Sequence, residues 1–218
     1  MATSPLETDQ ALVLYTHPMS RGRIVRWMLE ETGQPYRAEV LGYGRSMKSA
    51  EYLAINPMGK VPALAHRGVV VTETAAICAY LADAFASAGL APALDDPRRG
   101  AYLRLLFLAA GPLEAAITNR ALGVEVAPEK AVFVGYGGYD TVLGVVEQAV
   151  AAADPWLLGQ AFSAADVYLG SQILFGLKFK TISPTPVLAA YAQRLMARPA
   201  WQRAGAADDA LAQEHAGQ

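Results

Sequence analysis

The sequence predicts two parts, an α/β domain followed by an all-helical domain. Three observations predict this. Short apolar runs of strand length alternate with amphipathic stretches up to Phe85. A stretch carrying Gly89, Pro92, Asp95, Asp96 and Pro97 then breaks the pattern. From Arg98 onward only helical periodicity is found. The 218 residues are 53% hydrophobic, which allows a sizeable core. A formal net charge of −2 offers no general attraction to nucleic acid. The one cysteine, Cys78, cannot form an internal disulfide and fits a reducing, cytoplasmic setting. The opening MATSPLETDQ has neither a basic n-region nor an apolar h-region, so no signal peptide is expected. Residues 1–10 read as a disordered lead-in. No uninterrupted apolar run approaches ~18 residues, so neither a membrane span nor a membrane partner is expected.

The first strand is Leu12–Tyr15, ended by His17-Pro18 because proline lacks an N–H and restricts the residue before it. Ser20 offers an N-cap for the helix that follows. Ile24, Trp27 and Met28 give that helix an apolar stripe, and Gly33 with Pro35 stops it. Alternation at Tyr36, Ala38 and Val40 predicts a second strand. A short helix is expected near Ser49–Ala54. Lys60–Ala65 leads into a third strand, Arg67-Gly68 makes a hairpin turn, and Val69–Val71 is the fourth strand. Thr72-Glu73-Thr74 starts a helix through Ala75–Phe85. The order is therefore β-α-β-α-β-β-α. Asp96-Pro97 caps the next helix. Further helices are expected at Tyr102–Leu122, Tyr139–Ala153, Ala164–Leu177 and Val187–Met196, with a kink at Gly111-Pro112.

The turn after the first strand places a serine hydroxyl and several backbone N–H groups at a helix N-terminus. Such a place stabilises an anion, and a thiolate is one. Other chemistry-bearing residues carry plainer explanations. Ser163 and Asp166 stand as N-cap and N3 of a capping box, which explains both. Cys78 lies among Ala75, Ala76, Ile77 and Ala79 and reads as a small core residue. His17, His66 and His215 lack metal-ligand spacing, so no metal is expected. Gly135–Tyr139, GYGGY, lacks the ending of a phosphate loop and reads as an interhelical turn. That turn could lend Tyr136 or Tyr139 to a site.

Five stretches, in order, resemble the cytosolic glutathione S-transferase family, in its bacterial-type form with a serine-like turn. They are YTHPMSRGRIVRWMLEETGQPY, EYLAINPMGKVPAL, VVVTETAAICAYLA, PWLLGQAFSAADVYLGSQI and ARPAWQRA. The resemblance implies a thioredoxin-like domain over residues 11–86, a linker over 87–97 and an all-α domain over 98–218. It also implies a homodimer, with reduced glutathione as co-substrate and a small hydrophobic electrophile as acceptor. In the serine branches the activating hydroxyl sits in this turn, which makes Ser20 the first candidate. Tyrosine branches use the end of the first strand, which makes Tyr15 the rival. Val61-Pro62 resembles the family's cis-proline turn, whose valine backbone pairs with the cysteinyl part of glutathione. Glu73-Thr74 resembles the acid–hydroxyl pair that holds the γ-glutamyl end, with threonine where serine is usual. Lys48 and Lys60 resemble positions that hold the glycyl carboxylate; Tyr43, Arg45 and Arg21 are weaker candidates. The acceptor pocket is expected between the domains, with Tyr102–Glu114 as its helical wall. Other glutathione-dependent chemistry (peroxidase, reductase, isomerase) and a non-catalytic binding module are the alternatives. The lack of a cysteine near position 20 argues against disulfide reduction.

Overall fold

In a computed structural model, residues 11–214 are described; the lead-in expected at 1–10, and His215, lie outside them. Strand β1 (Leu12–Thr16) is the centre of a four-stranded sheet of order β2-β1-β3-β4. β2 (Tyr36–Val40) runs parallel to β1, with Tyr15 opposite Glu39. β3 (Ala63–His66) runs antiparallel to β1, with Tyr15 opposite Ala63. β4 (Val69–Thr72) returns beside β3, with Thr72 opposite Ala63. Arg67 and Gly68 both have positive φ (51° and 74°), the geometry of a tight primed hairpin turn. A parallel pair, an antiparallel hairpin and crossover helices make the thioredoxin-like mixed sheet.

Helix α1 (Gly22–Thr32) buries the stripe Ile24, Trp27 and Met28 that its periodicity announces, and Gly33 ends it in the left-handed conformation. Helix α2 (Ala50–Ile55) is capped by Ser49, which accepts from Tyr52 N–H. Helix α3 (Thr74–Ala84) buries Ile77, Cys78 and Leu81. Burial pushes the Cys78 thiol far up, so it stays protonated and inert.

The remaining helices are α4 (Arg98–Leu108), α5 (Glu114–Ala121), α6 (Tyr139–Ala151), α7 (Ala164–Lys178), α8 (Pro186–Met196) and α9 (Pro199–Glu214). Between α4 and α5 the predicted kink takes the form of a π-helical turn, Ala109–Leu113, around Pro112. Together, Arg98–Ala121 is long and apolar enough to cross a membrane by length and composition alone, although Arg104 and Glu114 interrupt its apolar run. Its inward positions Tyr102, Leu105, Leu106, Ala109, Leu113 and Ala116 are buried within the protein. A core helix passes the same test.

By packing, two units form. One comprises residues 11–88 together with 199–214; the other comprises 89–198 and carries no strand among its described residues. Two boundaries read from the sequence therefore move. Helix α9 belongs with the α/β unit, because Asp208 on α9 pairs with Arg26 on α1 at 2.8 Å, both buried. Part of the expected linker belongs to the helical unit, because Leu90 is buried and its carbonyl accepts Ala164 N–H at 2.8 Å.

The capping box stands as read. Asp166, fully buried, accepts from Ser163 N–H (3.0 Å), Ser163 Oγ (2.9 Å), Leu157 N–H (2.8 Å) and Tyr191 OH (2.8 Å). Tyr136 and Tyr139 are held inside the helical unit. Asn119 Nδ2 donates to Tyr136 OH at 2.8 Å, Tyr139 OH donates to the Thr181 carbonyl, and Arg120 lies 4.2 Å above the Tyr139 ring.

Candidate active site

The sheet register decides where the candidates meet. β1 and β2 are parallel and end together at Thr16 and Val40. β3 starts at Ala63, opposite Tyr15, and β4 ends at Thr72, opposite Ala63. Four segments therefore leave one end of the sheet: the Ser20 turn, the 41–48 loop, Val61-Pro62 and Glu73-Thr74.

In the first segment Ser20 holds a tight turn. Its N–H and its hydroxyl both donate to the His17 carbonyl, at 3.0 and 2.7 Å. Its Oγ accepts Gly22 N–H at 2.9 Å. The helical geometry begins at Gly22 with Arg21 in the cap position, so Ser20 lies one residue before the N-cap that the sequence assigned it. The next N–H groups are also used: Arg23 N–H reaches Ser20 O at 3.3 Å and Ile24 N–H reaches Arg21 O at 3.0 Å. What the turn presents is a half-buried hydroxyl rather than a row of open N–H groups. Gly22 is required here, a feature the sequence reading passed over. A Cβ on it would fall 1.9 Å from Thr16 Oγ1 and 3.0 Å from Ser20 Oγ. The Gly in Arg21-Gly22-Arg23 was the available signal.

Tyr15 is half-buried and packs against the cluster of Met47, Tyr52 and Ala63, as Leu41, Ile55 and Val61 also do, with its ring 5.7 Å from the Tyr52 ring. Its side of β1 is thus a packed face beside the 41–48 loop. In that loop Tyr43 is exposed, and Lys48, also exposed, donates its ammonium to Met58 O (3.2 Å) and Gly59 O (2.9 Å). Part of the Lys48 charge is therefore used to close its own loop. Arg21 and Arg45 are exposed on the same two segments, and the Arg21 charge favours the Tyr43 phenolate, against the larger upward effect of burial.

The Val61-Pro62 bond is cis. Val61 N–H and C=O have no hydrogen-bond partner among the described residues, whereas the preceding Lys60 carbonyl accepts Tyr52 OH (2.6 Å) and Asn56 Nδ2 (2.8 Å). The Lys60 side chain is exposed. Glu73 has φ 66° and ψ 116°, a region a non-glycine residue enters only when its surroundings impose it. Its side chain is exposed and does not cap α3, while Thr74 beside it is buried. An acid, a hydroxyl and the open N–H groups of a helix start thus sit at the same sheet end as Ser20 and the unpaired Val61 backbone. Such a set suits a zwitterionic, peptide-like thiol. Among the described residues no three His, Cys, Asp or Glu side chains gather as metal ligands.

The sequence model described as Glutathione S-transferase, N-terminal domain, matches residues 19–84. Glutathione S-transferase GstA of Escherichia coli O157:H7 is 30% identical over 160 residues, which span 72% of this chain and 78% of that protein. The chain belongs to the glutathione S-transferase family. A crystal structure of a sphingomonad glutathione S-transferase complexed with glutathione overlays with a TM-score of 0.72 at 28% identity, covering 90% of this chain and 98% of that one. Maleylacetoacetate isomerase of Rattus norvegicus is 29% identical over 167 residues, 73% of this chain and 74% of that protein. The fold of the family member described here is the glutathione S-transferase fold, a thioredoxin-like sheet with a helical C-terminal part.

Proposed function

We propose that the protein is a glutathione transferase that joins the thiol of reduced glutathione to small hydrophobic electrophiles, as a cytoplasmic homodimer. The observation that carries this reading is Ser20 Oγ at the sheet end shared with the unpaired Val61 backbone and with Glu73-Thr74. A glutathione thiol of pKa about 8.5 is mostly protonated at neutral pH. Lowering that pKa by about two units takes ~2.7 kcal/mol, within reach of one charge-assisted hydrogen bond near a helix N-terminus. Ser20 supplies it by turning its proton from His17 O to the sulfur, while Gly22 N–H keeps hold of Oγ. The cysteinyl backbone pairs with Val61 N–H and C=O. Glu73 takes the γ-glutamyl ammonium, and Thr74 with the α3 N–H groups takes the carboxylate. Lys60, and the remaining donor capacity of Lys48, face the glycyl carboxylate. The oriented thiolate then attacks the acceptor, forming the C–S bond as the leaving group departs. The glutathione complex of the sphingomonad relative supports glutathione as the co-substrate.

The test compares wild type, Ser20→Ala and Tyr15→Phe for conjugation of a chloronitrobenzene acceptor, with glutathione binding followed by calorimetry. The serine reading requires Ser20→Ala to lose turnover by about 10²-fold while still binding glutathione. If Tyr15→Phe is the inactive variant instead, the tyrosine is the activating group. If wild type fails to bind glutathione, the transferase reading falls.

The similarity to a maleylacetoacetate isomerase supports a second reading, in which the thiolate adds to a conjugated double bond, permits rotation and leaves again. The two readings separate on the fate of glutathione, which is consumed in conjugation and returned in isomerisation.

A further inference from the structure

One side chain of the loop after β2 reaches back to the Ser20 turn. Tyr43 OH donates to the Met19 carbonyl at 3.0 Å, and its ring lies 4.4 Å from the His17 ring at an interplanar angle of 55°. His17 fixes the same turn from within. Its carbonyl accepts both the N–H and the hydroxyl of Ser20, and its Nδ1 accepts Met19 N–H at 3.1 Å. Tyr43 thus engages both neighbours that define the position of Ser20 and leaves Ser20 Oγ to His17 and Gly22. The loop is itself tied down, by Leu41 N–H to Thr16 O at 2.9 Å and by Gly42 N–H to Ser46 Oγ at 2.8 Å. Tyr43 is 57% exposed, so core packing does not account for an aromatic residue here.

The geometry points to Tyr43 as a positioning residue for the thiol-activating hydroxyl: with His17 it clamps the 17–20 turn, so that Ser20 Oγ stays where the sulfur arrives. This rests on the glutathione chemistry proposed above. Its physical basis is that a hydroxyl must turn from one acceptor to another about a fixed Oγ, and displacements near 1 Å are enough to cost such a step about 10²-fold.

The experiment measures wild type, Tyr43→Phe, Tyr43→Ala, His17→Ala and the Tyr43→Ala/His17→Ala double variant. Readouts are the pH profile of kcat/KM with glutathione and 1-chloro-2,4-dinitrobenzene, the calorimetric Kd for glutathione, the thermal midpoint, and amide exchange of residues 17–22. For Tyr43→Ala the clamp requires the apparent pKa of the bound thiol to rise by about one unit, kcat to fall about tenfold, and Kd to change less than about threefold. Exchange at Met19 and Ser20 should quicken. Tyr43→Phe, which keeps the ring on His17, should recover part of the loss, and the double variant should be no worse than the worse single one. An unchanged thiol pKa and kcat in Tyr43→Ala at a wild-type thermal midpoint would overturn the inference. So would losses that add in the double variant, or a loss confined to Kd. If Tyr43→Ala unfolds, Tyr43→Phe decides by the same readouts. If wild type does not bind glutathione, it is the functional reading that fails. Unchanged exchange at Met19 and Ser20 in Tyr43→Ala then overturns the clamp as well, and faster exchange upholds it as a hold on the turn.

Discussion

A Cβ on Gly22 has nowhere to go, because Thr16 Oγ1 stands 1.9 Å from its position, and Thr16 is fully buried. A β-branched side chain on a strand cannot turn away cheaply. Gly22→Ala should therefore destabilise the protein by about 1–3 kcal/mol, as overpacking does, and disturb Ser20 with it. Thr16→Ala opens the space and removes a buried hydroxyl that has no partner among the described residues, so Thr16→Ala/Gly22→Ala should recover most of the loss. Urea unfolding of the four forms checks this; a double variant no better than Gly22→Ala would show that the clash is not with Thr16. His66 gives a residue-scale prediction in pH. It is buried, its Nδ1 lies 3.0 Å from Tyr80 OH and its ring packs on Phe85. Burial first, and then the Arg67 charge, push its pKa below the ordinary 6.5. The unfolded chain then binds the proton more readily, so stability is full above about 6.5 and declines as pH falls toward the lowered value. His66→Gln should flatten that part of the curve of midpoint against pH. At this scale the sequence disclosed identities but not contacts. Ser20, Val61 and Glu73 could be named from the motifs that hold them. The bond of Ser20 Oγ to His17 O, the Lys48 ammonium on Met58 and Gly59, and the approach of Gly22 to Thr16 all join atoms through turns, whose geometry no periodicity encodes.

Elements were legible where a local rule and the tertiary setting agree. The stripe of α1, the alternation of β2, the Arg67-Gly68 hairpin and the order of strands all follow from spacing plus turn residues. The Gly111-Pro112 break was legible as a break, but its form as a π turn was not, since proline removes one N–H without dictating how the helix absorbs the loss. Helix α9 was missed because its inward row is Ala200, Ala204 and Asp208, which carries little hydrophobic signal although the spacing is helical. The Ser163 to Asp166 signature was the most secure, being local and complete. It makes the element-scale prediction. Asp166 accepts four hydrogen bonds from α7, the preceding loop and Tyr191 on α8. Removing it leaves several buried donors unpaired, so Asp166→Ala should cost about 2–4 kcal/mol. Ser163→Ala keeps the backbone half of the box and should cost only about 1 kcal/mol. Equal losses for the two in denaturant unfolding would mean that Asp166 acts through the cap alone and that Leu157 and Tyr191 contribute little.

Across the whole chain, the last helix returns to the first unit, and an ion pair marks the return. Arg26 Nε meets Asp208 Oδ1 at 2.8 Å with both side chains almost wholly buried, and Arg26 Nη1 donates to Tyr36 OH at 3.2 Å. Around it Tyr36 OH donates to Glu30 at 2.9 Å, and Arg203 of α9 pairs with Glu30 at 2.8 Å. A second link between α1 and α9, Arg23 with Asp209 at 2.7 Å, is exposed on the acid side. Burial and exposure give these two pairs different weights. Desolvation pushes the Asp208 carboxyl up against the downward pull of Arg26, so the buried pair does not stabilise by attraction alone. Among the described residues Arg26 Nη2 and Asp208 Oδ2 also lack partners, so the contact is made through one oxygen rather than as a fork. Losing one member nevertheless strands a buried charge. Asp208→Ala should thus cost about 3–5 kcal/mol, while Asp209→Ala should cost no more than about 1 kcal/mol. The paired replacement Arg26→Met/Asp208→Leu removes both charges and keeps apolar volume, so it should fall near wild type. Urea unfolding of the three variants decides. If the paired replacement is as damaging as Asp208→Ala, the ion pair itself fastens α9 to the α/β unit. If it is near neutral, shape and burial along Ala200, Ala204 and position 208 fasten it, and the charges serve to select this docking of α9 over others.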